Sequence, residues 1–255
     1  MTGHLSKIKL KHFATLDSTN TKAAEYIHRL EADTLLMITA DEQTSGRGRF
    51  SHSWLSPPGQ NLYATFGFFI DKNRLDVGNI PQIMALSAAE VLQKHGLSSC
   101  LKWPNDLLID KKKIGGVLAE TFAVKKDDDG RLYMTIGIGI NINMPVALLE
   151  TLGRPATSVL IETGNIGNLK TIQKDLLQCF LKDLNLFFDK GFHPFLQNYQ
   201  KQMVLQKDDK MSFHVNGKIL EGKFHEITPQ GSLKLRLPDG NISEFVSGEV
   251  FLKKN

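Results

Sequence analysis

The run Lys102-Trp103-Pro104-Asn105-Asp106, closed by Lys113-Ile114-Gly115-Gly116, sets a carboxylate, a carboxamide and an indole beside a proline-stiffened bend, then a returning lysine. Lys113 stands just before two glycines, which leave the backbone bare and let another group approach closely. A lysine among apolar strand residues is costly unless an anion neutralises it. The implied chemistry is the holding of an anion, and Lys113 is read as facing a ligand. Lys111 and Lys112, in the turn itself, are read as solvated.

A second group comprises Gln43, Gly46-Arg47-Gly48-Arg49-Phe50 and Trp54. Alternating Gly and Arg gives a flexible backbone whose amides and guanidiniums can wrap a phosphate or carboxylate. Taken alone, the same pattern also fits a solvated surface loop. The third group is Gly137-Ile138-Gly139-Ile140-Asn141-Ile142-Asn143. Its glycines bare one strand face for something flat, and Asn141 has the donor and acceptor to read a purine edge. The competing reading is a tightly packed central strand with Asn143 opening a turn.

Several chemistries are excluded. Gly46 and Gly48 lack the third glycine of a dinucleotide fingerprint, and Gly217-Lys218 and Gly222-Lys223 run into Ile219 and Phe224 rather than the Ser or Thr of a phosphate loop. No G-x-S-x-G elbow occurs, and His225-Glu226 has no second histidine for a zinc motif. Asp127-Asp128-Asp129-Gly130 lacks the later oxygen ligands of a calcium loop and reads as a solvated turn. Cys100 and Cys179 read as two buried thiols, not a disulfide or metal site. The residues suit electrostatic positioning of an anion better than covalent or metal-hydroxide chemistry.

The elements that must hold these groups follow from periodicity and punctuation. Asp17-Ser18-Thr19-Asn20 offers N-caps to a helix marked by Ala23, Ala24, Ile27 and Leu30. Residues 34–40 form a short apolar strand, 41–60 a long polar loop of the kind that is functional when ordered, and 61–70 an aromatic-rich strand. Residues 80–95 form a helix ended by Gly96. A hairpin follows, with Leu107-Leu108-Ile109 as one arm, Asp110-Lys111-Lys112 as the turn and 114–120 as the other arm. Residues 132–142 are a strand. Residues 169–190 are the longest helix, with Ile172, Leu176, Leu177, Phe180, Leu181, Leu184, Phe187 and Phe188 inward and Gly191 at its end. A shorter helix spans 194–202. From Val204 short strands alternate with Asn216-Gly217, Pro229-Gln230-Gly231 and Pro238-Asp239-Gly240 turns, as in a small β-barrel. The fold class is α+β, a mixed β-sheet flanked by helices over residues 1–203 with a small β-barrel over 204–255.

The 255 residues allow one sizeable domain and a small one, and 41% hydrophobic with 23% charged residues is ordinary for a globular chain. The net charge of +4 is mild and scattered, so it gives no reason to expect nucleic-acid binding. No signal peptide or membrane span is read, and the expected location is cytoplasmic.

In order, Ser18-Thr19-Asn20, Gln43 with Gly46-Arg47-Gly48-Arg49, Trp54, Lys102 to Asp106, Lys113-Ile114-Gly115-Gly116 and Gly137 to Asn141 resemble the biotin–protein ligases. The terminal module ending Gly248-Glu249-Val250 resembles that family's SH3-like domain. The resemblance covers nearly the whole chain, and the Lys-Trp-Pro-Asn-Asp run is its most specific part.

The resemblance implies a class II synthetase-like sheet and ATP-dependent activation of biotin to biotinyl-5′-AMP. Biotin then passes to a lysine of a biotin carboxyl carrier protein. By the same resemblance Ser18, Thr19, Asn20, Gln43, Arg47, Gly48, Arg49, Lys113, Gly115 and Gly116 would bind biotin. Arg47, Arg49, Trp54, Lys102, Asn105, Lys113 and Asn141 would bind ATP or the adenylate. Lys113, Arg47, Arg49 and Asp106 would serve catalysis, with Asp106 orienting the incoming lysine or the Mg²⁺ that travels with ATP. A homodimer through the sheet edge is an expectation by analogy. DNA binding and membrane association are not expected, since no helix-turn-helix precedes the catalytic part. Ser51-His52 and Lys253 depart from the family's pattern, at the Gly-Arg loop and at a C-terminal ATP contact. The alternatives are a lipoate–protein ligase and a non-catalytic nucleotide- or carrier-binding module.

Overall fold

In the computed structural model, which describes residues 4–124, 130–215 and 217–252 and only the backbone of Ser51, seven strands form one mixed sheet. They are β1 (Lys7–Leu16), β2 (Thr34–Gln43), β3 (Leu62–Asp71), β4 (Cys100–Lys102), β5 (Asp106–Ile109), β6 (Lys112–Ala123) and β7 (Arg131–Ile140). Across the sheet the order is β1-β2-β3-β7-β6-β5-β4, with β1 and β2 parallel and the other neighbours antiparallel. The expected Asp127–Asp129 turn, Asn216 and Lys253 lie outside the described residues.

The helices are α1 (Thr19–Ala24), α2 (Ile80–Lys94), α3 (Val146–Glu150), α4 (Val159–Thr163), α5 (Leu169–Lys190) and α6 (His193–Gln202). The back of the sheet buries Phe66, Phe68, Ile136 and Ile138 against the inward residues of α2 and α5. The ring centroids of Phe66 and Phe180 lie 4.9 Å apart. The inward stripe of α5 falls where its 3.6-residue period places it, and Gly191, at φ 65°, ends the helix. The front carries α1, whose Ala23 packs on Leu36 and Ile38 of β2. With both faces covered, β3 is buried along nearly its whole length, which is why it reads as a continuous apolar run rather than an alternating one.

Three expectations change. The helix after Ser18 is six residues long, and Ser18, its N-cap, makes no side-chain cap bond. The polar stretch after residue 40 is not a structureless loop, since β2 continues to Gln43 and Arg47 pairs with Ser53 in an antiparallel bridge. Cys100 is exposed, because it begins the edge strand β4, in which Leu101 takes the inward position. Strand β1 had no sequence signal. Its Ile8 and Leu10 stay exposed between Lys7, Lys9 and Lys11, so no buried face is written in it. Pairing with β2, and the packing of Phe13 and Leu16 beside Ala23, Leu36 and Ile38, hold it.

The C-terminal strands β8 (Lys210–Val215), β9 (Lys218–Ile227), β10 (Leu233–Arg236), β11 (Ile242–Phe245) and β12 (Glu249–Leu252) form a second, antiparallel sheet, ordered β11-β10-β9-β8-β12. It docks on the first through Trp103, whose Nε1 donates to the Gly231 carbonyl at 3.0 Å and whose ring lies 6.0 Å from that of Phe213. Asn79 and Gln82 of the α2 end donate to the Gln230 and Gly231 carbonyls, each at 2.8 Å.

Candidate active site

The front face of the sheet is built in cross-strand rows. Gly116, Gly139 and Tyr63 form one row, Leu118, Gly137 and Thr65 the next, and Glu120, Thr135 and Gly67 the third. Glycines at 116, 137 and 139 lower this face in the middle of the sheet. Two side chains settle into the depression. A Cβ on Gly137 would overlap the Asn20 amide, and one on Gly139 would overlap the Trp54 indole. The bare strand face expected from the sequence is therefore filled by the chain's own Asn20 and Trp54.

Lys113 reaches the same face because of an irregularity in the hairpin. Asp110 and Lys111 turn with φ of 47° and 65°, the left-handed pair that a two-residue hairpin needs. Leu108 pairs with Lys113 but Leu107 with Gly115, so Ile114 is an extra residue in β6. In a regular strand Lys113 and Gly116, three apart, point to opposite faces. The bulge re-aims the lysine, and its Nζ stands 3.0 Å from where a Gly116 Cβ would be. The turn is thus one residue shorter than expected. Lys112 enters β6 and binds Glu162 at 2.7 Å, so only Lys111 keeps the solvated role foreseen for both.

Above this floor lies an open cleft. Ser18, Thr19, Asn20, Gln43, Arg47, Gly48, Arg49 and Trp54 line it, joined by Lys102, Asn105, Asp106, Lys113 and Gly116. Gly115 does not. It is buried in the sheet, where a Cβ would press on the Gly139 carbonyl at 3.0 Å and on Leu107. Asn141 lines a smaller recess with Trp54, Lys113 and Arg154, and its amide already donates to the Thr157 carbonyl at 3.0 Å.

One end of the cleft is neutral and rich in hydrogen bonds. Gln43 Oε1 accepts from the Thr19 amide at 2.8 Å, and Gln43 Nε2 donates to Ser56 Oγ at 2.9 Å. The Thr65 hydroxyl donates to Asn20 Oδ1 at 2.7 Å and lies 2.8 Å from the Thr19 hydroxyl. Thr19, Asn20, Gln43 and Thr65 are thus held by one another or by Ser56, which fixes the donors and acceptors they can offer a ligand.

The other end is cationic. Asp106 Oδ1 lies 2.6 Å from Lys113 Nζ, and its Oδ2 lies 3.1 Å from Lys102 Nζ. Burial pushes the Asp106 carboxyl up, but the two ammoniums outweigh it and hold it below its ordinary value. Burial also pulls Lys113 below its ordinary value, with Asp106 opposing and Arg154 and Lys102 adding repulsion. Arg49 is lowered by burial too, and its Nη1 donates to Asn105 Oδ1 at 3.2 Å and to the Gly248 carbonyl at 3.0 Å. Five cations, Arg47, Arg49, Lys102, Lys113 and Arg154, line the cleft against the carboxylates of Asp106 and Glu249. That surplus, partly desolvated, suits a polyanion.

Arg47 does not point its guanidinium into this surplus. It grips Glu120 with two bonds, of 3.0 and 2.8 Å. Nor do the residues fit a protein-held metal: both Asp106 oxygens already face ammoniums, and among the described residues no three His, Cys, Asp or Glu side chains converge as a metal site. Sequence reasoning missed Thr65, Glu120, Arg154 and Glu249. Thr65 and Arg154 lie away from the motifs, Glu120 lies four residues past Gly116 on β6, and Glu249 was read only as part of the terminal module; none has a pattern that marks it as facing the cleft. The described helices include none long and apolar enough to cross a membrane.

The sequence pattern of the Biotin/lipoate A/B protein ligase family matches residues 12–141, and that of the Biotin protein ligase C terminal domain matches residues 213–253. The chain is 29% identical over 240 residues to the bifunctional ligase/repressor BirA of Escherichia coli, covering 93% of this chain and 72% of that protein. It is 27% identical to the biotin–[acetyl-CoA-carboxylase] ligase of Paracoccus denitrificans over 93% of this chain and 98% of that one. The solved structure of the biotin protein ligase from Aquifex aeolicus in complex with biotin and ATP superposes with a TM-score of 0.78 at 29% identity, covering 97% of this chain and 99% of that one.

Proposed function

The chain belongs to the biotin/lipoate A/B protein ligase family, and from that premise we propose that it is a biotin–protein ligase. It would activate biotin with ATP and transfer it to a lysine of a biotin carboxyl carrier protein. The observation that carries this reading is the two-ended cleft, in which a neutral hydrogen-bonding end adjoins a buried Lys113–Asp106–Lys102 cluster. A ureido ring suits the first end, and a carboxylate meeting a phosphate suits the second.

In the first step a biotin carboxylate oxygen attacks the α-phosphorus of ATP, and pyrophosphate leaves with the electrons of the broken P–O bond. Two anions must meet, so the step needs fixed positive charge where they join. Lys113 is the cation whose position the sheet itself fixes. Its contact with Asp106 keeps the ammonium in place until the anions arrive. In the second step the carrier lysine's amine attacks the acyl carbon, and AMP leaves with a proton lost from nitrogen. Arg49, anchored on two elements, holds the Gly-Arg segment over the anhydride and keeps water away. Ser18, Thr19, Asn20 and Gln43 are assigned to the biotin ring, Trp54 and Asn141 to the adenine, and Lys102 and Asn105 to the phosphate end. Mg²⁺ is expected to arrive on the ATP phosphates.

The same reading divides the chain into a ligand-handling domain, 1–203, and a C-terminal β-module, 204–255. It places the protein in the cytoplasm, where ATP and unmodified carrier meet. A homodimer would pair at a sheet edge, and the outer edge of β1 is one such edge among the described strands. Size-exclusion measurement with and without ligands tests that part.

The test of the function is pyrophosphate release with biotin and ATP, with and without a carrier domain, run beside lipoate and ATP. Release with biotin and label transfer to the carrier are expected. Release with lipoate alone identifies a lipoate ligase, and tight ligand binding without any release identifies a binding module.

A further inference from the structure

Glu120 lies on β6 in the row behind the cleft, outside its lining, yet it meets two residues that belong to different parts of the site. Its Oε2 accepts from Asn20 Nδ2 at 2.8 Å and from Arg47 Nη2 at 2.8 Å, while Oε1 accepts from Arg47 Nη1 at 3.0 Å. Resting on the reading of the neutral end as the biotin pocket, we propose that Glu120 is a positioning residue that ties the filling of that pocket to closure of the Gly-Arg segment.

The argument is one of shared atoms. Asn20 has little freedom, with Oδ1 fixed by Thr65, Nδ2 by Glu120, and its amide seated over Gly137 where no Cβ intervenes. Arg47 is the first arginine of the segment. Its backbone bridge to Ser53, and the bond from the Trp54 amide to the Gly46 carbonyl at 2.8 Å, carry its position through to Trp54. The Glu120 side chain is 27% exposed and that of Arg47 44%, so the carboxylate is the steadier end of the pair. A ligand that bonds to Asn20 and stiffens it also stiffens the oxygen on which Arg47 closes. By linkage, a closed segment must hold that ligand more tightly. A bidentate carboxylate–guanidinium pair gives this coupling a defined geometry, which a single lysine contact would not.

The test is Glu120→Gln, which keeps the shape and removes the charge. The KM for biotin is expected to rise about tenfold and the acyl-adenylate to escape faster by a similar factor, with kcat at saturation within about threefold of wild type. A residue that only supported the fold would lower kcat with the amount of folded protein and leave KM unchanged. Arg47→Met should raise the KM for biotin as well, and the double variant should raise it no further than the worse single one. Additive losses, or a wild-type KM in Glu120→Gln, overturn the proposal. If Glu120→Gln does not fold, Glu120→Asp, with the charge withdrawn by one methylene, is expected to show the KM increase in smaller measure, and a wild-type KM there overturns it equally. Trypsin cleavage after Arg47 and Arg49, measured without ligand, keeps this outcome distinct from that of the biotin reading. Faster cleavage in Glu120→Gln supports the link even if the wild type releases no pyrophosphate with biotin, and equal rates overturn it.

Discussion

Lys113 is a cation kept where charge is expensive. Burial lowers its pKa, and Asp106 at 2.6 Å offsets part of that cost. Such an ammonium gains from any additional anion, which is what a carboxyl–phosphate junction brings. Lys113→Ala is expected to lower pyrophosphate release by about 10²–10³-fold. Folding should survive, because Asp106 keeps Lys102 as a partner; a rate within a few-fold of wild type would place the chemistry elsewhere. The pair also sets an acid limb for stability. The folded Asp106 carboxyl titrates below its unfolded value of 3.8, because Lys113 and Lys102 outweigh burial. Its stabilisation is therefore complete above that value and is lost as pH falls from there through the folded pKa. Thermal unfolding across that acid range should show a steep fall in Tm for wild type and a shallower one for Asp106→Asn, and parallel curves would contradict it.

At the scale of elements, β7 is a strand with its middle hollowed out. Gly137 and Gly139 share one face, and each receives a different side chain, Asn20 from α1 and Trp54 from the segment after the Gly-Arg pairs. This gives a paired prediction. Gly137→Ala should displace Asn20 and raise the KM for biotin, while Gly139→Ala should displace Trp54 and raise the KM for ATP. Each should cost about 1–3 kcal/mol of stability through overpacking. Steady-state kinetics with each substrate varied in turn separates the two, and an identical profile for both variants would deny the division of the cleft. The bulge at Ile114 belongs to the same scale, since by it β6 presents both Lys113 and Gly116 to the cleft.

At the scale of the whole molecule, the C-terminal sheet takes part in the site. Arg49 donates to the Gly248 carbonyl, 199 residues away, and Glu249 lines the cleft. Gly248, at φ 151°, stands where a Cβ would overlap the Phe213 ring, so this corner of the module has little room to change. Arg49→Gly removes the link between the segment and both Asn105 and Gly248. Faster escape of biotinyl-5′-AMP is expected, by about tenfold, with biotin appearing on lysines of an unrelated protein such as serum albumin. Adenylate retention equal to wild type would show that Arg49 does not hold the cleft shut.

Local information fixed much of this in advance. The hairpin, α5 with its capping Gly191 and the alternation of C-terminal strands with turns follow from periodicities of two and 3.6 and from turn residues. Such signals need only neighbours in the chain. The motifs also named most of the cleft lining, because Lys102 to Asp106 and Lys113 to Gly116 are joined by one short turn. What the residues around those motifs do with their charge was decided only in three dimensions. Arg47 turns to Glu120, Gly139 receives the chain's own Trp54, Gly115 faces a strand, and Asp106 is occupied by two lysines. Each of these depends on strand register, on one bulged residue or on a contact such as that of Arg47 with Glu120, 73 positions away. The sequence by itself determined which groups exist and most of the longer local elements. Only the tertiary structure decided which groups face each other, because cross-strand neighbours are set by pairing and packing rather than by distance along the chain.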